Sequence, residues 1–329
     1  MNMQRRRWSA AGLALAAACL AGPAAHAAQD WPSRPVRMVL PAAAGTAPDI
    51  MARMLGDKLS KIWRQPVIVE NKPGAGGLVG LAAIKSAERD DHMFVFTPAS
   101  VLTLTPYMYK SSQVDIVRDF QPVAMVGLSP MMAAVSASSP ANSLADVLAM
   151  ARRQPDSFVV ATTFLYSVPN LAADMLSRAS GVPLRAVPFA SSAQSISAVV
   201  GGDAQMLIDG VPPIEPMIKG GRLKPVAMFS EGRVAKRPDL PAASETYPSL
   251  VINGWFAVVA PQGTSRQAVE RVNRDLSTVL AENDVIDKLD TLGVYPKTMS
   301  VEAFGTYWRD ERMRWEKVLR DVNAQPVQQ

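Results

Sequence analysis

Few residues of this 329-residue sequence could carry out acid–base or nucleophilic chemistry. Of its two histidines, His26 lies in a predicted signal peptide, and His92 follows Asp90 and Asp91 in a predicted turn. A serine nucleophile needs an adjacent base, and the chain has no Gly-x-Ser-x-Gly pattern. The sequence therefore predicts no catalytic residue, and a hydrolase of the cell envelope is the least favoured interpretation.

The clearest sign of binding chemistry is a loop of small residues after a short apolar run. Residues 36–40 predict a buried strand, and the amphipathic pattern from Pro48 to about Trp63 predicts a helix. The loop between them, 42–47, contains only Ala, Gly and Thr. Small side chains let a ligand approach the backbone, and the N–H groups of a first helical turn attract an anion. Asp49 would repel an anion but complements the helix dipole, so its predicted role is structural.

A second unit of the same kind follows, with a strand at 66–69, a glycine turn at 73–77 and a helix at 78–88. A dinucleotide fingerprint starting at Gly74 and Gly76 would need glycine at 79, where the chain has Val79. The sequence therefore predicts no cofactor. The alternative role of the turn is to let the helix pack closely on the sheet.

The N-terminus predicts export. Arg5, Arg6 and Arg7 precede an apolar stretch at 10–21 that is too short to span a bilayer, and Ala25-His26-Ala27 fits a signal-peptidase site near Ala27. We therefore expect a periplasmic protein. Removal of 1–27 lowers the formal net charge from +5 to +2, because three arginines and no acidic residue are lost, and so no nucleic-acid partner is predicted. The only cysteine, Cys19, is lost too, and neither a metal site nor a disulfide is expected.

Strands and helices alternate along the remaining chain, which predicts an α/β protein with mostly parallel sheets flanked by helices. Residues 123–126 and 131–135 predict separate strands, and 97–105 predicts a polar loop. The chain is expected to leave the first domain near Ser129 and Pro130 and to return at 254–260. The predicted limits are 1–27 for the signal peptide, 28–128 with 254–329 for domain 1, and 129–253 for domain 2.

Several segments, taken in their order, resemble the tripartite tricarboxylate transporter substrate-binding family, also called the Bug family of periplasmic receptors. The resemblance covers nearly all of 31–322. The segments that carry it are 31–36, 41–49 with Arg53, 69–77, 119–124, 201–203, 220–223, 237–241, 255–256 and 261–264.

This resemblance implies a type II-like periplasmic-binding-protein fold of two domains with the ligand cleft between them. It implies a monomeric receptor, not an enzyme, that captures a small carboxylate and delivers it to the inner-membrane subunits of a tripartite transporter. A sensory receptor of the same fold, which signals through a membrane sensor, is the alternative. No cofactor or metal is implied.

In such receptors the carboxylate of the ligand is held by the loop after the first strand and by neighbouring loops, through backbone N–H groups, hydroxyls and waters. Ser167 and Ser191 each precede a predicted helix, so each is either a helix cap or a hydroxyl donor to the ligand. The ligand-binding residues that the resemblance implies here are Ala43, Ala44, Gly45, Thr46, Ala47, Asp49, Ala99, Ser100, Thr162, Thr163, Phe164, Ser167, Phe189, Ser191 and Asp209.

The loops of the implied site depart from the family pattern, whereas the segments that carry the resemblance follow it. Where the family has Gly-Ser-x-Gly-x-Gly-Ser, residues 161–167 read Ala-Thr-Thr-Phe-Leu-Tyr-Ser. Phe164, Leu165 and Tyr166 would add apolar surface beside the site, which favours an aromatic or otherwise less polar monocarboxylate. The alternatives are that these side chains point away from the ligand or that binding has been lost.

Overall fold

The computed structural model describes residues 31–85, 90–109, 113–155 and 157–326. The predicted signal peptide, and the end of the helix predicted at 78–88, lie outside these residues. The strands are β1 (Val36–Leu40), β2 (Val67–Asn71), β3 (Met93–Pro98), β4 (Phe120–Ser136), β5 (Val159–Thr163), β6 (Arg185–Phe189), β7 (Met206–Gly210), β8 (Leu223–Met228), β9 (Asn253–Pro261) and β10 (Tyr295–Pro296). The helices are α1 (Ala47–Trp63), α2 (Leu78–Lys85), α3 (Ala99–Thr103), α4 (Thr105–Met108), α5 (Ile116–Asp119), α6 (Leu144–Arg153), α7 (Val168–Ser180), α8 (Ser192–Gly201), α9 (Val211–Lys219), α10 (Arg266–Leu280), α11 (Asn283–Thr291) and α12 (Val301–Asp321).

Strand β4 is 17 residues long and belongs to two sheets. Its first part pairs with β9 as far as Pro130, which lies opposite Asn253, and its second part pairs with β7 from Met131 onwards. The first sheet has the order β2-β1-β3-β9-β4, with β10 on the other edge of β4, and the second has the order β8-β4-β7-β5-β6. The prediction of two separate strands, at 123–126 and 131–135, is therefore wrong. Proline usually interrupts a strand, but here the chain changes its pairing partner at Pro130.

The strand directions turn the carboxyl edges of the two sheets towards each other. In the first sheet β1, β2 and β3 are parallel, and β3 has the same direction as β4 because each is antiparallel to β9. In the second sheet β7 is antiparallel to β4, and β5 and β6 are parallel to β7. The predicted parallel character holds for the strands away from β4 and β9. The loops at the two carboxyl edges consequently lie on the side where β4 crosses from one sheet to the other.

Helix α12 contacts both halves of the molecule. Phe304 and Trp308 are buried in a cluster with residues of β3 and β9, whereas Trp315 and Leu319 are buried with residues of β5 and β7. No helix among the described residues combines the length and the apolar character needed to cross a membrane.

The polar loop predicted at 97–105 is also wrong, since α3 and α4 occupy most of it. Both helices are at most five residues long, too short to display a helical hydrophobic period in the sequence. Pro98 stands at the N-cap of α3, and Pro106 lies in the first turn of α4, where proline is tolerated.

The glycine turn before α2 allows close packing. A Cβ on Gly77 would lie 2.7 Å from Val101 Cγ2, and a Cβ on Gly80 would lie 3.0 Å from Pro41 Cβ. Gly77 also has φ of +99°, in the region that favours glycine. Gly80, within α2, thus brings this helix close to the end of β1, as the sequence suggested, whereas Gly77 of the turn packs against α3 and not against the sheet.

Gly77 and Gly202 form a matched pair for testing this packing. Gly202 has a similar φ of +92°, but nothing lies within 4 Å of its added Cβ. We expect Gly202→Ala to lower the free energy of unfolding by about 1 kcal/mol through backbone strain alone. Gly77→Ala should cost about 1–3 kcal/mol more, because the new methyl overpacks against Val101. Urea unfolding midpoints measure both, and equal losses would contradict the packing role.

Candidate ligand-binding site

The predicted site residues lie where strands end at the two carboxyl edges and helices begin. The first edge carries Ala43, Ala44, Gly45 and Thr46 between β1 and α1, Ala47 and Asp49 in the first turn of α1, and Ala99 and Ser100 at the start of α3. The second edge carries Thr162 and Thr163 at the end of β5, Phe164 and Ser167 in the loop before α7, Phe189 at the end of β6, Ser191 at the N-cap of α8, and Asp209 near the end of β7. The structure thus gathers the residues into two groups, one on each sheet.

The loop before α1 offers backbone N–H groups to solvent. Thr46 is the N-cap of α1 but makes no side-chain cap bond, and its hydroxyl donates to the carbonyl of Ala43 at 2.7 Å. Ala43, Ala44, Gly45 and Thr46 are exposed. An uncapped first turn beside exposed small residues is a favourable place for an anion.

Asp49 holds this loop in place. Its Oδ2 accepts from the Gly45 N–H at 2.9 Å, and its Oδ1 lies 2.9 Å from Asn71 Nδ2 and 3.0 Å from an Arg53 guanidinium nitrogen. The bonds from Arg53 and then from Gly45 hold the pKa of Asp49 at about 2, against an ordinary 3.8. Asn71 also donates to the carbonyl of Ala42 at 3.1 Å. The charge of this carboxylate is therefore already compensated, as the structural role predicted for it requires.

Sequence reasoning left Arg53 and Asn71 out of the site, although both belong to segments that carry the family resemblance. Arg53 lies one helical turn after Asp49, and this i,i+4 spacing was the available signal. Asn71 reaches the loop only because β2 lies beside β1, so no local pattern shows its role.

Ser100 adds a hydroxyl at the start of α3. It is half-buried, and its hydroxyl makes no hydrogen bond among the described residues. Ala99, next to it, is buried and can offer only its backbone.

On the second edge, Ser167 and Ser191, for which the sequence left a capping role and a ligand-binding role open, act as helix caps. Ser167 Oγ accepts from the Asn170 N–H at 3.3 Å, and Ser191 Oγ accepts from the Gln194 N–H at 3.3 Å. Asn170 also ties the loop together: its Nδ2 donates to Thr162 Oγ1 at 3.1 Å, and its Oδ1 accepts from the Tyr166 N–H at 3.0 Å. The structure thus shows the capping role, and Asn170 is a further residue that shapes this edge.

The loop between β5 and α7 carries exposed apolar side chains on an unusual backbone. Phe164 and Leu165 are 59% and 61% exposed, whereas Tyr166 is half-buried. Phe164 has φ of +31° and Tyr166 has φ of +60°. These are two of the positions at which the family pattern given above has glycine.

Asp209 is buried at the end of β7. Its Oδ1 accepts from the Gly210 N–H at 2.8 Å, and its Oδ2 has no hydrogen-bond partner in the part of the chain that the structure describes. Burial raises the pKa of Asp209, while the nearby Ser192 hydroxyl and the Gly210 N–H act in the opposite direction.

His92 lies at the amino end of β3, away from both carboxyl edges. Its Nε2 accepts from the Ser33 N–H at 3.2 Å, and its Nδ1 lies 3.1 Å from Asp90 Oδ1. The described residues contain no group of three or more His, Cys, Asp or Glu side chains arranged to hold a metal ion.

Two sheets that are flanked by helices and share strand β4, with loops and helix N-termini at facing carboxyl edges, define a two-domain periplasmic binding protein. Comparisons with known proteins agree. The model of the protein family described as the tripartite tricarboxylate transporter family receptor matches residues 51–324 of the chain. A UPF0065 protein of Bordetella bronchiseptica is 32% identical over 93% of this chain and 91% of its own length.

Solved structures show the same likeness. The Rhodopseudomonas palustris protein Rpa4515, with adipate, is 27% identical and covers 91% of this chain and 100% of that one, with a TM-score of 0.76. MatC of the same species, with bound malate, is 25% identical and covers 88% of this chain and 100% of that one, with a TM-score of 0.69. The chain belongs to the tripartite tricarboxylate transporter receptor family, a family of periplasmic solute-binding receptors and not of enzymes. The predicted family and fold class are confirmed.

Asp49 makes the free energy of unfolding vary with pH in the acid range. Because its pKa is about 2 in the folded chain and 3.8 ordinarily, its contribution is complete above about pH 4 and is lost as the pH falls towards 2. We expect Asp49→Asn to lower the free energy of unfolding by about 1–3 kcal/mol at pH 7 and to flatten its pH dependence between pH 4 and 2. Urea unfolding at a series of pH values measures both. An unchanged slope in the variant would show that Asp49 does not hold the loop.

Proposed function

We propose that this receptor captures a small carboxylate between its two lobes and delivers it to the membrane subunits of a tripartite transporter. The observation that carries the proposal is the uncapped N-terminus of α1 behind the exposed loop 42–47, on an edge that faces the second sheet. Partial positive charge at a helix N-terminus and free backbone N–H groups together favour a carboxylate.

The electrostatics of the loop support an anionic ligand. The carboxylate of Asp49 is only 4% exposed and is paired with Arg53, so it does not present its charge at the loop surface. The hydroxyl of Ser100, on the neighbouring strand end, is available as a donor to the same ligand. On the facing edge, α7 and α8 begin at Val168 and Ser192 and direct their N-termini towards the first lobe. The remaining residues predicted for the site would line the two sides of this space.

Relatives support the ligand class. The structures of Rpa4515 and MatC contain adipate and malate, which are both small dicarboxylates. A carboxylate held at the loop of one lobe and at helix N-termini of the other would favour the closed arrangement of the lobes, because only that arrangement makes both sets of contacts.

The working cycle follows from this closure. The limits predicted from the sequence assign 28–128 with 254–329 to one lobe and 129–253 to the other, and the two lobes would move about the strands β4 and β9. The chain acts in the periplasm as a monomer after cleavage near Ala27, and the closed form presents the carboxylate to the transporter.

An exposed alanine allows a direct test of the loop. Ala44→Asp places a second carboxylate where the ligand is expected, and Ala137→Asp, in the exposed segment after β4, is the matched control. We expect saturating adipate or malate to raise the melting temperature of the parent protein and of Ala137→Asp by several degrees, since a ligand at a hundred times its Kd adds about 2.7 kcal/mol. Ala44→Asp should bind at least tenfold more weakly.

The outcomes separate the parts of the proposal. Equal affinities of the two variants would place the carboxylate away from this loop. A cooperatively folded protein that no carboxylate stabilises would contradict carboxylate capture. For delivery, cells that lack this chain should regain uptake of the bound carboxylate with the parent gene and not with Ala44→Asp. Normal uptake without the chain would contradict a transport role.

A further inference from the structure

Phe164 and Leu165 stand out among the exposed side chains. Of the large apolar residues that the structure describes as exposed, they have the highest exposed fractions and are the only sequence neighbours. Isolated exposed apolar side chains are common, but adjacent ones on a loop indicate a contact surface. The candidate contact is on the second edge of the cleft, since β5 is the middle strand of the parallel group β7-β5-β6.

The backbone of this loop is strained and firmly held. Positive φ at Phe164 and Tyr166 is unfavourable for residues other than glycine, and such conformations persist only where surrounding contacts impose them. Three hydrogen bonds hold the backbone of this loop. The Phe164 N–H donates to the Phe189 carbonyl at 2.9 Å, and the Ser167 N–H donates to the Phe164 carbonyl at 3.1 Å. The Tyr166 N–H donates to Asn170 Oδ1 at 3.0 Å. These bonds therefore hold the backbone of Phe164 and Tyr166 in place, on either side of Leu165.

The loop faces the lobe that carries the carboxylate-binding residues. Loop 42–47 ends β1 on the first sheet, and loop 164–167 ends β5 on the second, so the two lie at opposed carboxyl edges. A ligand whose carboxylate rests on loop 42–47 would extend its other end towards the second lobe.

We propose that Phe164 and Leu165 hold the apolar body of the ligand, so that this receptor selects a monocarboxylate with an aromatic ring or an alkyl chain over a compact polar dicarboxylate. The selection rests on the carboxylate capture proposed above and adds the chemistry of the rest of the ligand. An apolar body covers the two exposed side chains when the lobes close, whereas a second carboxylate placed there would lose water without gaining a partner.

The test uses benzoate and hexanoate as apolar monocarboxylates and malate as the polar probe, with affinities measured by calorimetry. The parent protein should bind benzoate or hexanoate at least tenfold more tightly than malate. Phe164→Gly should weaken binding of the preferred monocarboxylate about tenfold, the factor expected for uncovering on the order of 60 Å² of apolar surface, and should weaken malate binding by a much smaller factor. Phe164→Leu should stay within about threefold of the parent.

Two controls separate ligand contact from folding. Val117→Ala removes another exposed apolar side chain, which is 55% exposed and lies in α5, just before the start of β4 and away from the crossing, and it should change no affinity. Without ligand, Phe164→Gly should melt at the same temperature as the parent or higher, because glycine adopts positive φ without strain. Retained stability together with lost affinity would exclude a purely structural role for Phe164.

Three results would overturn the inference. Tighter binding of malate than of both monocarboxylates would reject the apolar preference while leaving carboxylate capture intact. Unchanged affinities in Phe164→Gly, accompanied by reduced uptake in cells, would assign the apolar pair to a protein partner instead. Binding of none of the three acids by the folded parent protein would reject both the inference and the capture on which it rests.

Discussion

The arrangement of the molecule depends on one continuous strand, β4, whose backbone hydrogen bonds pass from β9 to β7 near Pro130. Because β9 is antiparallel to both β3 and β4, and β7 is antiparallel to β4, the parallel groups of the two sheets end towards each other. The cleft is thus a result of strand direction and not of any particular side chain. Every loop in the candidate site occupies its place because it ends a strand of one of these two groups.

At the first edge, a carboxylate and a candidate anion site lie within a few residues of each other. This proximity is possible because the oxygens of Asp49 accept from the Gly45 backbone, Asn71 and Arg53. The same bonds keep Ala43 and Ala44 exposed on a defined loop, so the acid gives the backbone its shape while Arg53 offsets its charge. By contrast, Asp115 acts as the N-cap of α5, where its side chain accepts from the Val117 and Arg118 N–H groups.

At the second edge, the loop between β5 and α7 has a strained backbone. Phe164 and Tyr166 occupy backbone conformations that glycine would adopt at lower cost, and a network around Asn170 maintains them. Backbone strain of this kind concentrates at functional sites. Glycine, which the family pattern has at these two positions, would adopt this backbone without the strain and would not add the apolar surface.

The sequence by itself determined the elements whose signals are local. The apolar run at 36–40 and the helical period up to Trp63 match β1 and α1. The candidate site could be located only as a set of loops, through the order of segments that resemble the family. Tertiary structure decided the rest. Residues 123–126 and 131–135 join into one strand because β9 and β7 succeed each other along it, and Asn71 supports the loop before α1 because β2 pairs with β1. Pairing between distant segments leaves no period in the sequence, so a local pattern shows which segments form strands and helices but not which of them lie side by side.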